Sequence, residues 1–182
     1  MENNKKVFVD SSVIVSSLIS NKGASYYCLV SAKNKGYKLF ISEFILKELL
    51  DVVERKFPNL LMRFFEILTL GEISIVKNPN KKDLKQLKNL VEEKDAPILA
   101  SAIKEKVNFL LTLDKGFLNQ KVINLASKHK LKILMPKDFI NYLKSIPNLK
   151  FHFPRSLFDN VFNSSNKVSS VVEDTINGVG KN

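Results

Sequence analysis

Short apolar runs alternate along the chain with longer segments in which apolar residues recur every three or four positions. The short runs are rich in Val, Ile, Leu and Phe, which is typical of buried strands, and the longer segments are typical of amphipathic helices. Proline and glycine punctuate the pattern, as at Pro58 and Gly71, where helices are expected to end. The pattern predicts strands at 7–9, 38–41, 73–76, 108–112 and 132–135, and helices at 13–19, 24–33, 43–56, 60–70, 83–93, 95–106, 122–130 and 136–145.

The alternation of strands and helices predicts an α/β fold. Strands separated by helices pair in parallel and are covered on both faces, so we expect a three-layer α/β/α arrangement around a central parallel sheet. The 182 residues suffice for one domain and an extension. The pattern weakens after Pro147, and residues 163–182 are rich in Ser, Asn and Gly. We therefore predict one domain at 1–145 and a partly disordered C-terminal extension at 146–182.

An excess of positive charge indicates an anionic partner. The chain carries 29 Lys and Arg against 18 Asp and Glu, a formal net charge of +11, which favours nucleic acid. Nearly all the basic residues are lysines and Asn is abundant, so A+T-rich coding accounts for part of the excess. The distribution is more informative, because six lysines and no acid lie at 115–137, and a second cluster spans 77–88. The weak candidates for RNA contact are Lys81, Lys82, Lys115 and Lys121, and a solvated lysine face is the alternative.

Few residues are available for thiol or histidine chemistry. Cys28 is the single cysteine, which excludes a disulfide framework and a zinc site built from several thiolates. The two histidines, His129 and His152, exclude a site built from many imidazoles. The sequence also lacks an apolar run long enough to cross a bilayer, and its first residues do not resemble a signal peptide. We therefore expect a soluble cytoplasmic protein with no membrane partner.

Three aspartates are predicted to meet at one edge of the sheet. Asp10 follows the first strand directly, Asp114 lies two residues after the strand at 108–112, and Asp95 opens a helix. Each position has a local explanation, since aspartate caps helices and turns well. The local explanations do not account for their convergence at the carboxyl ends of parallel strands, where such sheets bind ligands.

Glu48 is a fourth acidic candidate, on the helix at 43–56. Ile45, Glu48 and Val52 form one row along that helix, so the glutamate is expected to point inward with core residues. The alternative is a place at the margin of the apolar stripe, with the carboxylate reaching water.

Clustered carboxylates have a definite chemical use. Like charges held close together raise one another's pKa, and the cluster is costly unless a cation neutralises it. Oxygen ligands of this kind suit Mg²⁺ or Mn²⁺. Such ions activate water and neutralise a phosphate under attack, so the sequence indicates a metal-dependent reaction at a phosphate ester. The surrounding lysines are expected to hold a polyanion.

Five segments resemble the successive motifs of the PIN domain family. They are VFVDSSVIV at 7–15, SEFILKELLDVV at 42–53, KDAPILASA at 94–102, LLTLDKGF at 110–117 and ILMPKDFI at 133–140. The resemblance covers about residues 5–143. It implies an Mg²⁺- or Mn²⁺-dependent endoribonuclease, which is a hydrolase. Many small members, of which VapC is the best-known type, are toxins of toxin–antitoxin pairs.

The resemblance also implies roles for individual residues. The implied catalytic residues are Asp10, Glu48, Asp95 and Asp114, and the implied metal ligands are Asp10, Asp95 and Asp114. Glu48 would orient the attacking water, and the hydroxyls of Ser12 and Thr112 would support the carboxylates. Ser12 stands where many members carry Asn, which is a tolerated variation.

Several functions stay open within this interpretation. We expect a toxin that cleaves single-stranded RNA and has an antitoxin protein as partner; small size favours it over a housekeeping RNA-processing nuclease. A catalytically inactive RNA-binding or scaffolding protein would be indicated by a missing acid, and none is missing. A dehalogenase-type phosphatase is disfavoured, because it needs an acid where Ser12 stands. The aromatic residues of 149–162 could pack on the domain, form a homodimer interface or dock an antitoxin.

Overall fold

Five strands and eight α-helices make up the part of the chain that the structure describes. The computed structural model describes residues 5–146 except 86, 88 and 89. Of the predicted C-terminal extension at 146–182, only Ile146 is among the described residues. Lys88, a member of the second lysine cluster, is not described either. The strands are β1 (Lys6–Val9), β2 (Lys38–Ser42), β3 (Ser74–Val76), β4 (Phe109–Leu111) and β5 (Lys132–Leu134). The helices are α1 (Ser11–Ile19), α2 (Ala24–Asn34), α3 (Glu43–Lys56), α4 (Leu61–Leu70), α5 (Lys81–Lys85), α6 (Ala96–Lys104), α7 (Gln120–Lys128) and α8 (Pro136–Ser145). Short 3₁₀ helices occur at Pro58–Leu60 and Lys115–Leu118.

The strands form one parallel sheet in the order β3-β2-β1-β4-β5. β1 is central, since Val7 pairs with Leu39 of β2 on one side and with Phe109 of β4 on the other. The chain extends the sheet from β1 through β2 and β3, then returns to add β4 and β5 on the opposite side. Helices flank the sheet, so the predicted three-layer α/β/α fold is confirmed. The reversal between β1 and β4 is a topological switch point, which opens a crevice beyond the carboxyl ends of these strands.

The core is built from the central strands and one stripe of each helix. Val7, Phe8 and Val9 are fully buried, because a central parallel strand is covered on both faces. α3 buries Ile45 and Leu49 on the side that packs toward the sheet. Within the described stretch, no helix combines the length and apolar character needed to cross a membrane.

The helix predicted at 83–93 is wrong, whereas the other predicted elements are present with ends shifted by no more than two residues. α5 ends at Lys85, and the described residues from Leu90 to Asp95 are not helical. The backbone N–H of Leu87 donates to the carbonyl of Leu84, and that of Leu90 to Leu87, each at 3.0 Å. Such three-residue bonds make turns tighter than an α-helix. These turns bring Asp95 to the start of α6.

Candidate active site

Asp10 lies where β1 ends at the crevice. Its backbone N–H donates to the carbonyl of Leu111 in β4 at 2.9 Å, so the sheet fixes the main chain at this point. Asp10 stands in the N-cap position of α1, yet its side chain makes no capping hydrogen bond. The residue is only 4% exposed. Helix capping therefore does not explain why an aspartate stands at this position, and its carboxylate can serve another function.

Three hydroxyls donate to the Asp10 carboxylate: Ser11 Oγ makes a longer bond of 3.3 Å to Oδ1, and two others make short bonds to Oδ2. Ser12 Oγ and Thr112 Oγ1 each donate to Oδ2 of Asp10 at 2.6 Å. The same hydroxyls accept hydrogen bonds in turn, Ser12 from the N–H of Leu113 at 3.1 Å and Thr112 from the N–H of Asp114 at 2.9 Å. These bridges tie the end of β1 to the loop after β4. The structure thus places both hydroxyls beside the carboxylate that they are predicted to support.

Asp114 lies beside this hydroxyl clamp and combines two contacts. Its backbone N–H is held by Thr112, and its Oδ1 accepts from the N–H of Gly116 at 2.7 Å, which caps the 3₁₀ helix at Lys115–Leu118. The turn explanation is therefore partly correct for this residue. Among the described residues, Oδ2 of Asp114 has no hydrogen-bond partner, so one oxygen remains available at the crevice.

Asp95 approaches the same place from the start of α6. The residue is 8% exposed, and its main-chain carbonyl accepts hydrogen bonds from the first turn of the helix. Its side chain makes no capping bond, although it stands in the N-cap position and Pro97 follows in the first turn. As with Asp10, helix capping does not explain the carboxylate.

The charges of the three aspartates interact. Burial is the main cause that raises the pKa of Asp95 to about 6, and the charge of Asp114 is the next cause. Lys94 opposes this shift, while Glu92 and Asp10 add to it. In the described part of the chain, no Lys, Arg or His nitrogen lies within 4.0 Å of the carboxylates of the three aspartates. The three therefore form an uncompensated acidic group, which we call the acidic edge.

Glu48 is not directed into the core, so the prediction that it points inward is wrong. The buried stripe of α3 runs through Ile45, Leu49 and Val53, which are spaced four positions apart. Glu48 lies beside this stripe and is exposed. It lines a groove of about 420 Å³ between α3 and α1, whose other wall begins at Ser12. The glutamate thus lines a groove that reaches Ser12, and none of the three aspartates lines that groove.

The lysines predicted to contact RNA are exposed and dispersed. Lys115 follows Asp114 directly, whereas Lys81 and Lys82 open α5 and Lys121 lies in the first turn of α7. The sequence interpretation missed Lys94, which is fully exposed and lies 3.3 Å from the carboxylate of Glu92. Glu92 and then Asp95 raise the pKa of Lys94. Its place next to Asp95 in the sequence was the available signal.

The donor chemistry of the acidic edge fits a hard divalent cation. Its ligands would be carboxylate oxygens, and Asp10 and Asp95 are nearly buried. Burial and then repulsion by Asp114 raise the pKa of Asp95, and a cation would relieve both costs. In the described residues, however, no three Asp, Glu, His or Cys side chains are gathered closely enough to hold a metal ion as they stand. The residues that would hold it are Asp10, Asp95 and Asp114.

Comparison with known proteins agrees with the fold and the motif order. The sequence profile of the PIN domain matches residues 6–116, which include β1, β4 and all three aspartates. No curated protein matches the sequence significantly. The crystal structure of PAE2754 from Pyrobaculum aerophilum is similar with a TM-score of 0.52 and 13% identity, covering 80% of this chain and 100% of that one. A PilT N-terminus domain protein, SSO1118 from Sulfolobus solfataricus P2, has a TM-score of 0.45 and 14% identity, covering 81% of this chain and 99% of its own. At these identities the first likeness supports the fold alone.

Proposed function

Because the chain belongs to the PIN domain family, whose members are typically nucleases that use divalent metals, we propose that it is an Mg²⁺- or Mn²⁺-dependent endoribonuclease acting on single-stranded RNA. One observation carries the proposal. Asp10, Asp95 and Asp114 converge at the switch point of the sheet without a neutralising partner among the described residues, and two of them leave helix caps unused. This arrangement is costly for folding and useful only with a cation.

The chain's own residues divide the work of hydrolysis. Ser12 and Thr112 hold Asp10 in one orientation before substrate arrives, which lowers the cost of ordering the site during reaction. Asp10, Asp95 and Asp114 would hold a divalent ion, which when bound would supply positive charge at the attacked phosphate and lower the pKa of a bound water. Glu48, across the groove from Ser12, accepts a proton from the attacking water. Lys94 and Lys115 are exposed beside the site and attract the phosphate backbone.

A single strand suits this site because the acids are nearly buried. Asp10 is 4% and Asp95 is 8% exposed, so the phosphodiester has to enter a narrow crevice, which an unpaired backbone does more easily than a duplex. As the biological role we propose a toxin with an antitoxin partner in the cytoplasm. An RNA-processing nuclease remains the alternative, and homodimer formation stays a prediction.

Cleavage assays test the proposal. Single-stranded RNA, single-stranded DNA and duplex RNA are incubated with the protein and Mn²⁺, Mg²⁺ or EDTA. We expect RNA cleavage with either ion, none with EDTA, and background rates for Asp10→Asn. Asp51→Asn, an equal change at an exposed position on α3, is the matched control and should cleave normally. RNA binding without cleavage under any ion would instead support an inactive RNA-binding or scaffolding protein.

A further inference from the structure

A pocket at the opposite edge of the sheet carries a second constellation. It has a volume of about 210 Å³ and lies at the amino-terminal ends of the strands, where Tyr37 precedes β2 and Lys132 opens β5. We call it the lysine pocket. Its lining includes Lys5, Lys130, Lys132, Tyr37, Tyr142 and Phe109.

Aromatic rings form the floor of the lysine pocket and ammonium groups lie over them. Lys5 Nζ is 5.3 Å from the centre of the Tyr37 ring, and Lys132 Nζ is 5.6 Å from that of Tyr142. In the described part of the chain, neither these two lysines nor Lys130 has a carboxylate within 4.0 Å. Their charge is therefore available to an anion. The Tyr37 ring is buried, so the partly exposed ring of Tyr142 is the surface on which a flat group can stack.

Tyr37 contributes a buried donor that the protein does not use. The residue is 4% exposed, with its ring 6.0 Å from that of Phe109 and 5.5 Å from that of Phe139. Its hydroxyl is buried beside the Tyr142 hydroxyl, close enough to interact with it, but makes no hydrogen bond of acceptable geometry with any described residue. Burial and then the nearby Tyr142 hydroxyl raise its pKa, so Tyr37 keeps its proton at neutral pH. Such unpaired buried groups are rare and call for a partner.

We propose that the lysine pocket binds one nucleotide of a single-stranded RNA, with the phosphate on the lysines, the base on the Tyr142 ring and the Tyr37 hydroxyl as a hydrogen-bond donor. The assignment of RNA rests on the proposed function. A pocket of about 210 Å³ is smaller than the roughly 300–1,000 Å³ of most small-molecule sites, so it has room for no more than one nucleotide and excludes a duplex. β1 has four residues, or about 13 Å, so one strand of RNA can reach both edges of the sheet.

The test measures binding of a labelled single-stranded RNA oligonucleotide over a range of salt concentrations, with Asp10→Asn present so that no strand is cut. Lys130→Gln with Lys132→Gln should weaken binding about tenfold and reduce the slope of log affinity against log salt by about 0.7, since the contact to one phosphate is lost. Lys47→Gln with Lys56→Gln removes the same charge from exposed positions on α3 and should change neither quantity by more than twofold.

Tyr37→Phe is the second variant and removes only the hydroxyl. We expect weaker RNA binding by about threefold and an unchanged or higher thermal midpoint, because the hydroxyl has no partner in the free protein. A lower thermal midpoint of Tyr37→Phe with unchanged RNA binding would overturn the proposal. An equal loss of RNA affinity in the Lys130/Lys132 and Lys47/Lys56 double variants would also overturn it. Competition by AMP without any effect of the variants on RNA binding would assign the pocket to free mononucleotides and overturn the RNA assignment. Cleavage by the unsubstituted protein is measured separately, so failure of the nuclease proposal is distinguishable from failure of this one.

Discussion

The two edges of the parallel sheet differ in charge and in how their side chains are held. At the carboxyl edge, hydrogen bonds of 2.6 Å fix Asp10, and three carboxylates repel one another. At the amino edge, the ammonium groups of Lys5 and Lys132 lie over aromatic rings. At the carboxyl edge the side chains are held in one orientation and their charges repel, which suits catalysis. At the amino edge the long lysine side chains can adjust to a ligand, which suits binding. Substitutions at the carboxyl edge should therefore change the cleavage rate, whereas substitutions at the amino edge should change RNA affinity.

The largest effect on the cleavage rate is expected from a substitution of Glu48, which lines the groove between α1 and α3. Glu48→Gln keeps the size of the side chain and removes its ability to accept a proton, so kcat should fall by about a hundredfold with unchanged metal affinity. Glu54→Gln is the matched control, because Glu54 is exposed on the same helix. Cleavage kinetics at saturating Mn²⁺ measure the effect. Equal rates for the two variants would exclude Glu48 as the proton acceptor.

Loss of the hydroxyl clamp should lower both activity and stability. Thr112→Val leaves Asp10 with one fewer donor and the N–H of Asp114 without an acceptor. We expect a rate reduced by about 10- to 100-fold and a loss of about 1–3 kcal/mol in the free energy of unfolding. Thr112→Ser, which keeps the hydroxyl, should recover most of both, and Thr69→Val on α4 is the control at an exposed position. Identical behaviour of the Val and Ser variants would show that the clamp has no role.

The strain at the acidic edge predicts an unusual pH dependence. The pKa of Asp95 rises from 3.8 to about 6 on folding, so between pH 4 and pH 6 the folded protein holds a proton that the unfolded chain releases. Ionised Asp95 therefore lowers the free energy of unfolding of the metal-free protein above pH 6. This loss of stability is removed as the pH falls from 6 to 4 and the carboxylate takes up a proton. Asp95→Asn should raise stability at pH 8 by about 1–2 kcal/mol after solvent screening, and have little effect at pH 4. Urea unfolding in EDTA at both values measures this, and a gain independent of pH would contradict it.

The smallest effect tests whether the edges are independent. The stability changes caused by Tyr37→Phe and Asp95→Asn should add to within about 0.5 kcal/mol in the double variant, since the residues lie at opposite ends of the strands. Thermal or urea unfolding of the four proteins gives the coupling. A coupling above about 1 kcal/mol would show that the two edges share one network.

The acidic edge was predictable because topology determines it. Asp10 and Asp114 follow strands and Asp95 opens a helix, so a parallel sheet places them at one edge, and the pairing of β1 with β4 makes Asp10 and Asp114 neighbours. The sequence interpretation of Glu48 was wrong because residues three and four positions after Ile45 lie on the same side of a helix. Both Glu48 and Leu49 were therefore candidates for the buried face, and Leu49 is the one that packs in the core. The bonds from Ser12 and Thr112 to Leu113 and Asp114 depend on loop conformation, which residue patterns do not encode.

The lysine pocket was beyond sequence reasoning for a different reason. Lys5, Tyr37, Lys130 and Tyr142 are scattered along the chain, and only the strand register brings them to one edge. The lysine run at 115–137 was a partial signal, since it contains Lys130 and Lys132. The helix predicted at 83–93 failed because the N–H groups of Leu87 and Leu90 bond three residues back, and the spacing of the leucines does not distinguish such turns from an α-helix.

Calorimetric titration of Mn²⁺ at pH 7.5 tests the central claim, that three carboxylates form a cation site, most directly. The unsubstituted protein and Asp51→Asn should bind the ion alike, whereas Asp10→Asn, Asp95→Asn and Asp114→Asn should each weaken binding by about tenfold or more. For the unsubstituted protein, affinity should fall below pH 6, because protonation of Asp95 competes with the ion. Equal Mn²⁺ affinity in all five proteins would contradict the account.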